Sequence, residues 1–200
     1  FTLLSPLACA FAAGNSAILK PSEIAPRTAK VMAQAVADFF DPTVLTVITG
    51  GPAVASEFSR QPFNHLVFTG STAVGKLVMA GAAENLVPVT LELGGKSPVL
   101  VGQSADIANA AERIAVGKSA NSGQLCVSPD TVWVHASQLD GLIDGLKTFY
   151  SDQFPTLAGN PDVTPIVNER HFSRVESYVA DAGARGARVV MAGDGPCEQA

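Results

Sequence analysis

Few of the 200 residues carry charge: 16% are Asp, Glu, Lys or Arg, against about 25% in an ordinary soluble domain. The 13 basic residues never form a run longer than two, and the formal net charge is −5. A nucleic-acid surface needs clustered Lys and Arg, so that class of partner is excluded. Cysteine is also scarce. Cys9, Cys126 and Cys197 lie far apart, which speaks against a disulfide framework and points to a reducing, cytoplasmic setting. No Cys/His cluster has metal-ligand spacing, so no metal site is expected. The apolar stretch at residues 3–13 lacks a basic leader, and Pro6 interrupts it. Although Ala8-Cys9-Ala10 imitates a small-residue cleavage site, the stretch is read neither as a secretory signal nor as a membrane span, which needs ~20 apolar residues. It is expected to be a buried helix with Cys9 on its apolar surface. The chain begins at Phe1 and closes on Gly193-Asp194-Gly195-Pro196 and a short tail holding Cys197, to which no role is given. Both ends look cut, and an internal fragment is expected.

Apolar residues, by contrast, make up 47% of the chain, enough to bury a real core and too many for a disordered tail. The length fits one domain or parts of two. Strand and helix signals alternate. Residues 16–20 and the β-branched run 44–48 read as strands. Between them Pro26 suits a first helical position, and Ala29, Met32, Ala33, Val36 and Phe40 follow at helical spacing. Gly50-Gly51-Pro52 breaks the second strand, and a short helix follows to Arg60. Residues 65–68 and 87–91 are further strands around a helix with Val74, Leu77, Val78 and Gly81 on one face. Beyond Gly94-Gly95 come a strand at 97–101 and a helix capped by Ser104 and bearing Ile107, Ala110, Ala111 and Ile114. A strand at 131–135, a helix at 138–149, a loop with three prolines at 152–165, a helix at 168–183 and a strand at 187–191 complete the pattern. The expectation is an α/β fold with a Rossmann-like parallel sheet flanked by helices.

Three places carry chemistry. The turn Gly70-Ser71, between a strand and a helix, aims backbone N–H groups and a positive helix end at an anion, and Ser71 can cap that helix or donate to a phosphate. The spacing Gly70 to Gly75 is not the G-x-G-x-x-G fingerprint, nor does it end in the Lys-Ser/Thr of a P-loop. Lys20-Pro21-Ser22-Glu23 follows a strand end, where ligands of open α/β sheets bind, and Lys20 with Glu23 can hydrogen-bond ribose hydroxyls. A surface ion pair is the plainer alternative. Glu92 closes an apolar strand before Gly94-Gly95. Burial there raises a carboxyl pKa towards that of a useful general base, unless Glu92 simply pairs with Lys96. Cys126 follows the Gly123 loop, a place for an activated thiol or merely for a small hydrophobe. His65, His135 and His171 have no partners in the pattern and read as structural.

Taken together these residues resemble the aldehyde dehydrogenase superfamily. The matching pieces are Gly14-Asn15 with Lys20-Pro21-Ser22-Glu23, Phe68-Thr69-Gly70-Ser71-Thr72 with Val74-Gly75-Lys76, Thr90 through Pro98 around Glu92, and Gly123-Gln124 with Cys126. A finer likeness, to the class 3 branch and its coniferyl aldehyde dehydrogenases, rests on residues 121–130 and 164–172. The resemblance implies that Cys126 attacks an aldehyde and that Glu92 activates the water that releases the carboxylic acid. It implies that Lys20, Glu23, Gly70, Ser71, Val74 and Gly75 hold NAD, with NADP as the other possibility. Glu23 should repel a 2′-phosphate, which favours NAD. It further implies a coenzyme domain over 1–93, a catalytic domain from 94 to 200 and a homodimer for the full-length protein. An oxyanion asparagine is expected upstream of Phe1, and a nicotinamide-ribose glutamate downstream. The piece alone is therefore expected to be inactive and poorly stable. Two other readings compete. A coenzyme A-acylating dehydrogenase fits Glu92 badly, and a non-catalytic protein on the same fold has no need for both Cys126 and Glu92.

Overall fold

The computed structural model describes residues 2–157 and 159–192. The tail from Gly193 to Pro196 and Cys197 lie outside them. The chain forms two compact units, Phe1–Gly94 and Gly95–Ala200. The first runs α1 (Leu4–Ala12), β1 (Ala17–Leu19), α2 (Pro26–Phe39), β2 (Leu45–Val47), α3 (Pro52–Ser59), β3 (Leu66–Gly70), α4 (Thr72–Ala83) and β4 (Val89–Leu93). The second runs β5 (Ser97–Val101), α5 (Ile107–Ser119), β6 (Pro129–Val134), α6 (Leu139–Gln153) and α7 (Glu169–Ala184). The strands form three two-stranded sheets, β1–β2, β3–β4 and β5–β6, and each pair is parallel. A parallel pair needs a crossover, and α2, α4 and α5 supply the three. The fold is thus α/β, as expected.

Local chemistry explains the starts. Pro26 and Pro52 occupy first-turn positions of α2 and α3, where the missing N–H costs nothing. Ser71 caps α4 by accepting from the Val74 N–H, and Asn168 caps α7 by accepting from the His171 N–H. The cap of α5 corrects the sequence reading: Asp106, not Ser104, accepts from the N–H groups of Ala108 and Asn109. The helix begins at Ile107, so Ser104 lies too far upstream to reach its free donors.

Each unit has its own buried cluster. In the first unit Leu66, Ala82 and Val87 are buried, with Phe63, Phe68, Val78 and Val89 packed against them. Here α4 turns its small residues inward. Gly75, Gly81 and Ala82 are buried, and a Cβ on Gly81 would lie 2.5 Å from the Ser59 hydroxyl of α3. Val74 and Leu77, expected on the inner face, are exposed, because close helix approach selects the small residues of α4 instead. In the second unit Val101, Ala111, Ile114 and Leu142 are buried among Val99, Ile107, Val132, Val134 and Leu146. Burying each Leu or Ile side chain stabilises by about 1.5–3 kcal/mol. Gly145 allows α6 to approach α5, since a Cβ there would meet that of Ala111 at 2.7 Å.

Two further expectations fail. No residue of α1 is buried, and Cys9 is exposed; Pro6, Leu7, Ala10 and Phe11 are half-buried, Phe11 through a ring contact with Phe40. Residues 187–191 form no strand. Their Val189 and Val190 have strand propensity but pair with no ladder among the described residues. β4 also lies two residues later than expected, because its register with β3 runs on to Gly70 and Leu93. No helix among the described residues is long and apolar enough to cross a membrane.

In urea titrations, Asp106→Ala should cost about 1 kcal/mol, whereas Ser104→Ala should stay within about 0.5 kcal/mol of the parent. Leu142→Ala should cost about 2–5 kcal/mol by opening a cavity between β5, α5 and α6.

Candidate active site

In the first unit the chosen residues sit at the carboxyl ends of parallel strands. Lys20 directly follows β1. Its side chain is 11% exposed, and its ammonium donates to the Pro21 carbonyl at 3.1 Å and pairs with the Glu23 carboxylate at 3.4 Å. The Glu23 backbone N–H has the largest effect and outweighs burial, which acts the other way; the bond and charge of Lys20 add smaller effects, and the Glu23 carboxyl stands below its ordinary value. Glu23 is therefore an anion at neutral pH, and two of the three ammonium hydrogens of Lys20 are engaged. The ion pair, the plainer alternative, is present, and it leaves a donor and several acceptor lone pairs unused by that contact.

At the end of β3, Gly70 is a glycine for a local reason: a Cβ would fall 2.5 Å from the ring of Phe68. Ser71 then starts α4. Its oxygen accepts from the Val74 N–H at 3.3 Å, so its own hydroxyl proton remains available to a ligand. Val74 thus contributes its N–H to the cap and leaves its side chain exposed. The N–H groups of Thr72 and Ala73, in the first turn, have no partner within the helix, and the positive end of α4 lies beside them. Gly75 is buried where α4 crosses β4; a Cβ would lie 2.8 Å from a methyl of Leu93. Such contact between helix and strand is what a glycine in a dinucleotide-binding turn permits.

Glu92 stands opposite Thr69 in the β3–β4 register, with Gly70 opposite Leu93. Alternation along β4 turns Leu91 and Leu93 inward and leaves Glu92 exposed beside Thr90. The sequence reading placed this carboxylate near a core. The period of the strand instead sends it to the open face. Lys96, the partner weighed for it from the sequence, forms an ion pair with Asp130.

The second unit carries Cys126, whose side chain is exposed. Its loop is unusual. Asn121, Ser122 and Gly123 all have positive φ, at 50°, 51° and 74°. Gly123 accepts this readily, whereas Asn and especially Ser do so at a cost. Hydrogen bonds fix the turn. The Gln124 amide nitrogen donates to the carbonyls of Asn121 and Pro165, each at 3.1 Å, and the amide oxygen accepts from the Val167 N–H at 3.1 Å. The Ser122 hydroxyl donates to the Thr164 carbonyl. Downstream, the Ser128 N–H donates to Leu125, and its buried hydroxyl reaches the Gly117 carbonyl of α5 at 3.3 Å. Gly95 lies against the Cys126 backbone, where a Cβ would come 2.7 Å from the Cys126 carbonyl oxygen.

Gln124 and residues 164–167 belong to the stretches that carry the family likeness, which by itself gives them no role. The long separation between them hid their partnership. Each histidine ring has a partner: His65 bonds the Thr90 hydroxyl of β4 at 2.8 Å, His135 bonds Ser137 at 2.8 Å, and His171 meets the guanidinium groups of Arg170 at 3.5 Å and Arg174 at 3.4 Å. Among the described residues no group of three or more His, Cys, Asp or Glu is placed to hold a metal ion.

The aldehyde dehydrogenase family profile matches residues 1–200. The chain is 51% identical to a coniferyl aldehyde dehydrogenase of a Pseudomonas species, over 92% of this chain and 38% of that enzyme. It superposes with a TM-score of 0.85 on the substrate-bound state of a Staphylococcus aureus aldehyde dehydrogenase, at 42% identity, covering 96% of this chain and 41% of the other. A Mycobacterium tuberculosis aldehyde dehydrogenase complexed with NAD+ gives a TM-score of 0.80 at 32% identity, covering 90% of this chain and 38% of the other. The chain therefore spans well under half the length of these relatives.

Gly95 and Gly94 provide an internal comparison. Gly95→Ala should force the Cys126 carbonyl to move, cost about 1–3 kcal/mol and change the rate at which iodoacetamide alkylates Cys126. Gly94→Ala, with nothing within 4 Å of its Cβ, should leave both measurements unchanged.

Proposed function

The chain belongs to the aldehyde dehydrogenase family, and from that premise we propose that the protein containing it oxidises an aldehyde to a carboxylic acid through a thioester on Cys126. The observation that carries the proposal is the presentation of Cys126: an exposed thiol on a turn fixed on both sides by hydrogen bonds. A thiol held this way attacks the aldehyde carbon as the thiolate and splits one difficult reaction into two easier ones. After oxidation of the resulting thiohemiacetal, Glu92 takes a proton from the water that attacks the thioester carbonyl. The acid leaves and the thiolate returns. Glu92 is exposed at the end of β4, where its carboxylate is open to the water from which it takes this proton.

The residues of the first unit fit a nicotinamide dinucleotide by the chemistry of their donor set. The Ser71 hydroxyl and the first N–H groups of α4 suit a pyrophosphate, Gly70, Val74 and Gly75 shape that turn, and Lys20 with Glu23 suits a ribose diol. When bound, the dinucleotide supplies the hydride acceptor. Glu23 is anionic at neutral pH and repels a 2′-phosphate, so NAD is the preferred form. The identity with a coniferyl aldehyde dehydrogenase supports a coniferyl-type aromatic aldehyde as the first substrate to test.

In the whole protein, NADH formation from coniferyl, benzyl and aliphatic aldehydes should fall to background in Cys126→Ala; equal rates in both proteins would refute the reading. Glu92→Gln should keep a first burst of about one NADH per site, with steady turnover lowered ~10²–10⁴-fold. Direct titration should give a lower Kd for NAD than for NADP, and tighter NADP binding would contradict the role of Glu23.

A further inference from the structure

The Gln124 side chain uses both amide hydrogens and its carbonyl at once, on Asn121, Pro165 and Val167. It is half-buried and lies two residues before the thiol-bearing Cys126. Two of these three contacts cross 41 and 43 positions of sequence to one segment, residues 164–167. Ser122 adds a third tie to that segment through the Thr164 carbonyl. The turn so held contains two non-glycine residues at positive φ, each a conformation that costs about 1–3 kcal/mol and persists only when the surroundings enforce it. Loss of the clamp would therefore let residues 121–123 relax towards ordinary backbone conformations and carry the Cys126 main chain with them.

We propose that Gln124 is a positioning residue for the reaction put forward above: with Ser122 it clamps the cysteine turn to residues 164–167 and so fixes the direction of the Cys126 backbone and thiol. The inference rests on that proposed reaction for its catalytic part only; the clamp itself is a property of the fold. It acts on orientation, not on exposure or substrate affinity. Replacing Gln124 should consequently lower kcat, leave KM nearly unchanged and leave alkylation of the exposed thiol nearly unchanged. Gln124→Glu is the discriminating substitution. It keeps shape and the acceptor for Val167, but sets a carboxylate against two carbonyl oxygens that now receive hydrogen bonds. A residue that merely filled space would tolerate it.

The test uses the whole protein, with wild type, Cys126→Ala, Gln124→Glu, Gln124→Met and Ser122→Ala compared in parallel. Kinetics and hydrogen-exchange mass spectrometry are both read. Both Gln124 variants should lose ~10–100-fold in kcat, with KM and iodoacetamide alkylation within about threefold of wild type. Exchange should quicken in peptides covering 121–128 and 164–168 together, and not in those covering α6. Ser122→Ala, an exposed change that does not threaten folding, should lose kcat by a few-fold and quicken the same two peptides. Unchanged exchange at 164–168 in Gln124→Glu, or in Ser122→Ala should the Gln124 variants not fold, would overturn the clamp whether or not the protein is active. Quickened exchange with wild-type kcat would overturn the positioning role. Wild type and Cys126→Ala forming NADH equally would instead sink the proposed reaction, leaving the exchange result to decide the clamp.

Discussion

A thiol that is to act as the proposed nucleophile must stand on backbone that does not move, and in this chain the backbone before Cys126 is of a kind that moves unless held. Residues 121–123 turn through three successive left-handed conformations. Only one of the three is glycine. Two strained residues at about 1–3 kcal/mol each are opposed by side-chain hydrogen bonds from Gln124 and Ser122 that contribute about 0.5–1.5 kcal/mol each. The balance is close, so the turn exists because residues 164–167 are there to receive it. The Ser128 hydroxyl on Gly117 and the bare Cα of Gly95 against the Cys126 carbonyl complete the support. The backbone that presents Cys126 thus depends on residues far from it in sequence.

The first unit solves a different problem with cheaper means. Parallel strands end on the same side as the helices that follow them begin, so each strand–helix junction presents a polar residue beside unsatisfied N–H groups. Ser71 at the start of α4 and Lys20 at the end of β1 occupy such junctions. Gly75 and Gly81 let α4 lie close to Leu93 and Ser59, which sets where its positive end points. Strand alternation does the rest, turning Leu91 and Leu93 into the packed face and Glu92 outward.

What could be read from the sequence followed the range of the interaction. Short-range patterns were legible: the six strands between residues 16 and 135, the helix start at Pro26, the short helix after the Gly50-Gly51-Pro52 break, the cap at Ser71 and the glycine at 123. Errors arose where two local candidates competed or where a partner lay far away. Asp106 and Ser104 are both good caps, and only the true start of α5 separates them. Leu77 fits the apolar period of α4, yet that helix packs through glycine and alanine. Val189 and Val190 have strand propensity without a ladder to join. The burial expected for Glu92 failed because its apolar neighbours in sequence face the other way. Gln124 was visible only as a letter in a motif, since its meaning lies in Pro165 and Val167, more than forty positions on.

The most direct test of the central claim is to trap the covalent intermediate. The whole protein carrying Glu92→Gln would be mixed with an aldehyde and NAD, quenched in acid within the first turnover, digested and examined by mass spectrometry. The account predicts an acyl group, matching the aldehyde less one hydrogen, on the peptide that contains Cys126 and on no other. Acylation of a different peptide, or NADH release with no acylated peptide at all, would contradict it.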